Sequence, residues 1–251
     1  MDTAVLPSDH VATRLQISAS SQRIMIWWSI AFMLIFGIVM GFMLKMIPLP
    51  HAGLTDDQVA AFYQRNGLMI RIGAIIESWV AAFPVPIAAV IAVQMARVER
   101  GVPIWSILAF GGGCLMSIFL VLPPLFWGIA AFDPSRPPAV TALMHQTANL
   151  TLVTTDQYFL FQTLAMAFIS LTQKLDPTPA IPRWLAYYTL WASVMYELGA
   201  IAFVTRHGPF AWNGLFVFWF PFCIFGVWIT LTAYALLRAI SRQEAAGEGI
   251  P

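Results

Sequence analysis

Six stretches of this chain are each long and apolar enough to cross a lipid bilayer, and this leaves few folds open. A membrane-spanning helix needs about 20 mainly apolar residues. The windows that meet this requirement are residues 24–44, 72–93, 102–131, 148–171, 184–204 and 215–237. Charged residues make up only 10% of the chain, too few to coat a water-soluble globule. The sequence therefore predicts an all-α, polytopic membrane helical bundle with about six transmembrane helices.

Most connections between the predicted spans are short, which favours one helical domain without a separate soluble unit. The predicted organisation is a cytoplasmic tail over residues 1–23, a six-helix transmembrane domain over 24–240 and a second cytoplasmic tail over 241–251. The first 23 residues lack a basic segment leading into a short apolar core with a cleavage site, so they do not resemble a signal peptide. The first span is therefore expected to be retained.

The basic residues that flank the spans predict the orientation, because cytoplasmic loops of membrane proteins carry an excess of lysine and arginine. With the N-terminus inside, eight basic residues lie on the cytoplasmic side: Arg14, Arg23, Arg97, Arg100, Lys174, Arg183, Arg238 and Arg242. Five lie on the other side: Lys45, Arg65, Arg71, Arg136 and Arg206. This predicts a multi-pass protein of the inner (plasma) membrane with both termini in the cytoplasm. The net charge of +1 predicts no nucleic-acid partner.

Three acidic residues lie inside predicted spans: Glu77, Glu197 and Asp156. At about 1.5 Å of rise per helical residue they fall roughly 8, 10 and 12 Å below the same outer edge of the bilayer. A charged side chain costs about 2.5 to 3.5 kcal/mol at the centre of a bilayer. The three carboxyl groups are therefore expected to face inward and share one pocket. Burying acids together raises the pKa of at least one of them toward neutrality, so that group could donate or accept a proton near pH 7.

Other polar residues lie on the same helical faces as these acids. His145, Asn149 and Asp156 follow one another at spacings of four and seven residues, and Ser193 lies one turn before Glu197, which Tyr196 adjoins. The candidate catalytic residues are thus Glu77, Glu197 and Asp156, and the candidate ligand-binding residues are His145, Asn149, Ser193, Tyr196 and Arg71. Two alternatives remain open: the acids pair with Arg71 and Arg206, or Asp156 only caps a span that starts later.

Neither a metal nor a cofactor is predicted. The four histidines lie outside the middle of the spans, and the sequence contains no Glu-x-x-His or His-x-x-x-His spacing near the acids. The two cysteines, Cys114 and Cys223, are expected to pack as small apolar residues. The GGGC segment at residues 111–114 lies within a span, where small residues let helices approach closely.

Two connections are expected to contain helical structure of their own. Thr55 followed by Gln58 forms a capping-box pattern, which predicts a short amphipathic helix on the outer surface. From residue 139 to residue 173 no proline or glycine interrupts the chain. This stretch is expected to form either one long oblique helix or an interfacial helix followed by a short span.

The segment RHGPFAWNGLFVFWFP (206–221), together with PRW (182–184) and QMARVE (94–99), resembles uncharacterised six-span bacterial integral membrane proteins that carry a GPFAWNGLF-type segment. The resemblance would cover most of the chain. It implies the same membrane fold in a bacterium, and it implies no activity or functional residue, because none is established for such proteins.

Three classes of function remain open for such a chain. The first is a membrane protein whose acidic pocket in the outer leaflet binds a small amphipathic or lipid-like ligand. In one form of this hypothesis the acids also catalyse an acid–base reaction on that ligand. The second is a proton-coupled small-molecule transporter, which suits acids within the membrane. The third is a non-catalytic subunit of a larger membrane complex. The predicted partners are the lipid bilayer and a small hydrophobic or amphipathic ligand, and a homo-oligomer or a membrane complex is left open.

Overall fold

A computed structural model of the chain describes residues 17–173, 179–247 and 249–250, and these residues form an all-α bundle. The α-helices are α1 (Ala19–Phe42), α2 (Asp56–Val80), α3 (Pro84–Ala96), α4 (Ile104–Met116), α5 (Ile118–Phe132), α6 (Pro138–Thr154), α7 (Leu160–Thr172), α8 (Arg183–Tyr196) and α9 (Phe220–Ala245). Tighter 3₁₀ turns cover Asp156–Phe159, Glu197–Phe203 and Gly208–Phe210, and a π-helical turn covers Leu215–Trp219. Two-residue strands, β1 (Ile17–Ser18) and β2 (Gly249–Ile250), pair in parallel. Arg14 and Lys174, used above for the orientation, lie outside the described residues.

Four helical stretches are long and apolar enough to cross a membrane: Ala19–Phe42, Asp56–Ala96, Ile104–Phe132 and Gly208–Ala245. Many of their large apolar side chains point outward, among them Trp27, Trp79 and Ile107. Outward-facing apolar side chains of this size fit contact with lipid rather than with water. The chain is therefore a helical membrane protein. The fourth and fifth predicted spans correspond to interrupted helices, α6 with α7 and α8 with the following 3₁₀ turn.

The bundle has two chemically distinct ends. At the end that carries the first residues of α1 and the last of α9, Arg23 forms an ion pair with Glu244, and the buried amide of Gln94 bonds to Gln22 and Gln243. We call this the terminal end. The opposite, loop end carries the connections 43–55, 133–137 and 204–214, where Trp212 Nε1 donates to the carbonyl oxygen of Pro50 at 2.9 Å.

The capping box at Thr55 and Gln58 is confirmed, because each side chain bonds the backbone amide of the other residue. The prediction of a short, separate surface helix there is wrong. The helix continues as α2 to Val80, since residues that it buries follow one another at spacings of three, four or seven from Val59 through Tyr63 and Ile70 to Val80. Packing against neighbouring helices therefore extends the helix past its polar first turns.

The stretch 139–173 does not form one long helix, because it breaks between Thr154 and Leu160 into α6 and α7. Thr154 and Thr155 donate their hydroxyl groups to the carbonyl oxygens of Leu150 and Thr151, both at 2.7 Å. Such bonds compete with the helical backbone pattern and bend helices. A neighbouring segment also enters here, since a Cβ atom on Gly199 would clash with the carbonyl oxygen of Val153.

Helix α4 approaches α7 and α3 closely at two glycines. A Cβ atom on Gly112 would clash with the backbone nitrogen of Gln162, and one on Gly113 would clash with the side chain of Ala88 on α3. By contrast, a Cβ atom on Gly111 would meet nothing within 4 Å. The expectation that the GGGC segment permits close helix packing is therefore confirmed for two of its three glycines.

Candidate functional site

A cavity of about 470 Å³ lies between α1, α9 and the inner helices. Its wall is largely apolar and includes Phe36, Phe83, Leu152 and Phe218. On α9 the lining residues Cys223 and Val227 are exposed at the bundle surface, so the cavity opens sideways beside α1. An apolar cavity with a lateral opening in a membrane helix bundle is accessible from the lipid phase.

Two polar side chains, Asp156 and Tyr196, interrupt this apolar wall. Asp156 begins the 3₁₀ turn between α6 and α7 and is 6% exposed, and Tyr196 ends α8 and is 3% exposed. Asp156 Oδ1 and the Tyr196 hydroxyl have no hydrogen-bond partner within the described part of the chain. Buried polar atoms are nearly always bonded, so two unbonded groups in one cavity wall suggest a bound partner.

The position of Asp156 depends on close packing by the segment that follows Tyr196. Asp156 Oδ1 lies 2.9 Å from the position that a Cβ atom on Gly199 would occupy. Only a glycine lets the 3₁₀ turn after α8 approach the turn that carries Asp156 so closely. The two helix breaks therefore lie against each other and form one end of the cavity.

The expectation that all three acids face inward is wrong for Glu197, whose side chain is exposed. The buried face of α8 includes Ser193 and Tyr196 and continues at Gly199 in the following 3₁₀ turn, and Glu197 lies beside this face rather than on it. Ser193, one turn earlier, is buried, and its hydroxyl donates to the carbonyl oxygen of Thr189 at 2.8 Å.

Glu77 is fully buried, yet it is not among the residues that line the cavity with Asp156. It lies on the face of α2 that packs against neighbouring helices, and both of its carboxyl oxygens lack a hydrogen-bond partner among the residues described. The alternative in which the acids pair with Arg71 and Arg206 therefore has no support at Glu77. Arg71 is exposed and lines a different, smaller pocket.

His145 and Asn149 belong to a buried hydrogen-bond chain away from the cavity wall. Trp127 Nε1 donates to Asn149 Oδ1 at 3.1 Å, Asn149 Nδ2 lies 2.9 Å from His145 Nε2, and His145 Nδ1 lies 2.9 Å from the Tyr63 hydroxyl. An indole nitrogen only donates, so the asparagine oxygen faces Trp127 and its amide donates to His145. The imidazole then donates from Nδ1 to Tyr63. The chain ties α2, α5 and α6 together.

No sequence pattern identifies the walls of the cavity. Residues on α1 and α9 line it, including Gly37, Cys223 and Gly226. Both glycines have open space where a Cβ atom would be. A glycine inside an apolar span is compatible with such a gap, but it does not distinguish a gap from close helix contact.

Within the described ranges, no group of three or more His, Cys, Asp or Glu side chains could hold a metal ion. No protein-family model, curated protein or solved structure matches the chain.

Proposed function

We propose that this membrane protein binds a small amphipathic or lipid-like molecule in the cavity lined by Asp156 and Tyr196. The observation that carries the proposal is the pair of unbonded polar groups, Asp156 Oδ1 and the Tyr196 hydroxyl, in a wall that is otherwise apolar. A volume of about 470 Å³ is in the usual range for small-molecule sites, which hold a mostly apolar ligand by a few polar groups.

The two polar groups suggest what the ligand offers. A ligand hydroxyl group could donate to Asp156 Oδ1 and accept from the Tyr196 hydroxyl, because a tyrosine hydroxyl both donates and accepts. The apolar body of the ligand would then lie against the aromatic wall toward the opening. A carboxyl group beside a phenol can also transfer a proton to or from such a ligand, which extends the proposal to acid–base catalysis.

A proton-coupled transporter is the second candidate, and the helix breaks favour it. Transporters bind substrates where membrane helices are discontinuous. Both Asp156 and Glu197 lie at the first residue of a 3₁₀ turn that interrupts or ends a helix. A non-catalytic subunit, the third class, is compatible with the many exposed aromatic side chains, among them Trp27, Trp79 and Phe203.

The orientation and location are part of the proposal. The excess of eight basic residues over five favours a terminal end in the cytoplasm and a loop end outside, in the plasma membrane of a bacterium. Asp156 would then lie in the outer half of the bilayer, and the ligand would enter from the outer leaflet.

Ligand binding in the cavity can be tested by filling the cavity with a larger side chain from α1 or from α9. Gly37→Leu and Gly226→Leu place a side chain into the open space, whereas Gly111→Leu, also with open space at its Cβ position but outside the cavity, is the matched control. Molecules that co-purify with each protein in mild detergent are quantified by mass spectrometry. We expect a defined amphipathic molecule with the wild type and Gly111→Leu, and its loss from the other two.

A second readout uses the native thiol at the opening. In a Cys114→Ser background, Cys223 should react with a membrane-permeant maleimide more slowly when the co-purified molecule is added back. Equal amounts of every co-purified molecule in the wild type and both cavity variants would contradict the proposal.

A further inference from the structure

A second pocket of about 250 Å³ lies at the loop end, between α2, the end of α5 and the start of α6. Two guanidinium groups line it, from Arg71 on α2 and from Arg136 in the α5–α6 connection, along with Asp133, Tyr63 and Thr141. With one carboxylate against two guanidinium groups, the charged lining is net positive. This pocket is separate from the cavity of the proposed function, because its lining shares no residue with that cavity.

Arg136 is held in place by its own connection. Its Nη1 donates to the carbonyl oxygen of Ile129 at 3.0 Å, and its Nε lies 3.9 Å from Asp133 Oδ2. The hydroxyl and backbone amide of Ser135 donate to Asp133 Oδ1 at 2.6 and 2.9 Å. These two bonds, with a smaller contribution from the charge of Arg136, hold the pKa of Asp133 below its ordinary value. Asp133 therefore orders the connection as a carboxylate.

Arg71 has more free donor capacity than Arg136. Its Nε donates to the carbonyl oxygen of Gly67 at 3.3 Å, which fixes the base of the guanidinium group. The terminal nitrogens of Arg71 form no ion pair with a carboxylate in the described part of the chain. A guanidinium group held at its base with its terminal N–H groups free is suited to bidentate binding of an oxyanion.

An exposed apolar strip leads from this pocket along the bundle. On α2 it comprises Leu68, Ile72, Ile75 and Trp79, which follow one another at spacings of three or four residues, and on α5 it includes Leu125 and Phe132. Arginine side chains are well suited to recognise phosphate groups, and exposed apolar patches mark contact with lipid. The pocket and the strip together match a molecule with an anionic head and apolar chains.

We propose that the pocket at Arg71 and Arg136 binds a phosphate group, and that this phosphate belongs to the headgroup of an anionic lipid such as phosphatidylglycerol. Arg71 contributes the free guanidinium group, and Arg136, oriented by Asp133, contributes the second positive charge. The acyl chains lie on the strip from Leu68 to Trp79. A soluble phosphate ester shares the head chemistry but has no chains for the strip.

The test compares Arg71→Gln with Arg65→Gln, which removes the same charge from an exposed position on the same helix outside the pocket. Each protein is titrated with phosphatidylglycerol and with phosphatidylcholine of the same chains, and bound lipid is counted by native mass spectrometry. We expect Arg71→Gln to weaken phosphatidylglycerol binding about tenfold, as for one lost charge-assisted pair. Arg65→Gln should change it less than about twofold, as expected for an exposed charge.

Arg136→Gln is a second variant, with its melting temperature measured to confirm folding, since Arg136 also bonds the end of α5. Glycerol phosphate is the soluble competitor. If glycerol phosphate binds as tightly as the lipid and its binding depends on Arg71, the pocket binds phosphate, but its ligand is a soluble ester and the lipid assignment is wrong. Equal losses in Arg65→Gln and Arg71→Gln, or equal binding of the two lipids by the wild type, would overturn the proposal.

Discussion

Glu77 and Asp156 are both buried carboxyl groups, but they differ in what surrounds them. Asp156 borders an open cavity next to another unbonded polar group, whereas Glu77 lies on a packed face of α2 and is outside the lining of that cavity. An isolated buried acid is costly unless its surroundings compensate. Asp156 is therefore the stronger candidate for contact with a ligand. The contribution of Glu77 to stability can be measured by replacing it.

The variant Glu77→Gln is expected to fold at near-normal yield with a free energy of unfolding within about 1 kcal/mol of the wild type, because the carboxylate has no hydrogen-bond partner among the described residues to lose. Glutamine has nearly the same shape. Thermal melting in detergent measures the effect. A large drop that a second change at Arg71 or Arg206 reverses would show that Glu77 is half of a salt bridge.

Glu99→Gln is the matched control for that measurement. The Glu99 carboxylate accepts from the backbone amides of Trp105 and Ser106 at 2.9 and 3.0 Å and from the Ser106 hydroxyl at 2.7 Å. These bonds stabilise the first turn of α4. Loss of bonds to a charged group is expected to cost about 1.5 to 3 kcal/mol, so this variant should melt clearly below Glu77→Gln.

The buried chain from Tyr63 to Trp127 predicts a second residue-scale effect. Asn149→Leu keeps the size of the side chain but leaves the Trp127 N–H and His145 Nε2 without partners in the interior. Each unsatisfied group costs about 1 to 3 kcal/mol. Asn66→Leu, at a half-buried position whose amide donates to the carbonyl oxygen of Phe62, is the control. Equal melting temperatures for the two variants would argue against a structural function of the chain.

At the scale of elements, close helix contacts and helix breaks define where the cavity ends. Gly112 and Gly113 bring α4 against α7 and α3, and Gly199 brings the turn after α8 against the turn that carries Asp156. Small residues at such crossings let backbones approach, which is a main source of helix association in membranes. The same type of residue therefore packs helices at one place and positions a polar side chain at another.

Alanine substitutions separate these glycines. Gly112→Ala and Gly113→Ala are each expected to cost about 1 to 3 kcal/mol, because the added methyl group overpacks the α4–α7 or α4–α3 contact. Gly111→Ala adds its methyl group in open space and should be neutral or slightly stabilising, since alanine favours helix. Unfolding in detergent measures all three, and indistinguishable midpoints would contradict the packing described.

At the scale of the whole molecule, the arrangement of the two ends relates the two proposed sites to the membrane. The bonded glutamines Gln22, Gln94 and Gln243 and the Arg23–Glu244 pair lie at the terminal end, while the pocket at Arg71 and Arg136 lies at the loop end. If the loop end faces outward, both the pocket at Arg71 and Arg136 and the Asp156 end of the cavity belong to the outer half of the bilayer.

A cysteine introduced at Asp57 or Ser135, both exposed at the loop end, tests this orientation. In a background with both native cysteines replaced by serine, either one should react with an impermeant thiol reagent in intact cells. Serine at Cys114 and Cys223 alone is the unlabelled control. Labelling that requires permeabilised cells would reverse the orientation and move both sites to the inner half.

The sequence by itself determined the class of the protein and the approximate position of its spans, because hydropathy over about 20 residues is a local property of the chain. It also located the cap at Thr55 and the polar face of His145 and Asn149, since capping and helical spacing act within a few residues. The tertiary structure decided which groups meet. The break after Thr154 and the 3₁₀ winding at Glu197 are coupled through the contact at Gly199. The cavity is a gap between α1 and α9, and a gap depends on how distant segments pack rather than on any local pattern.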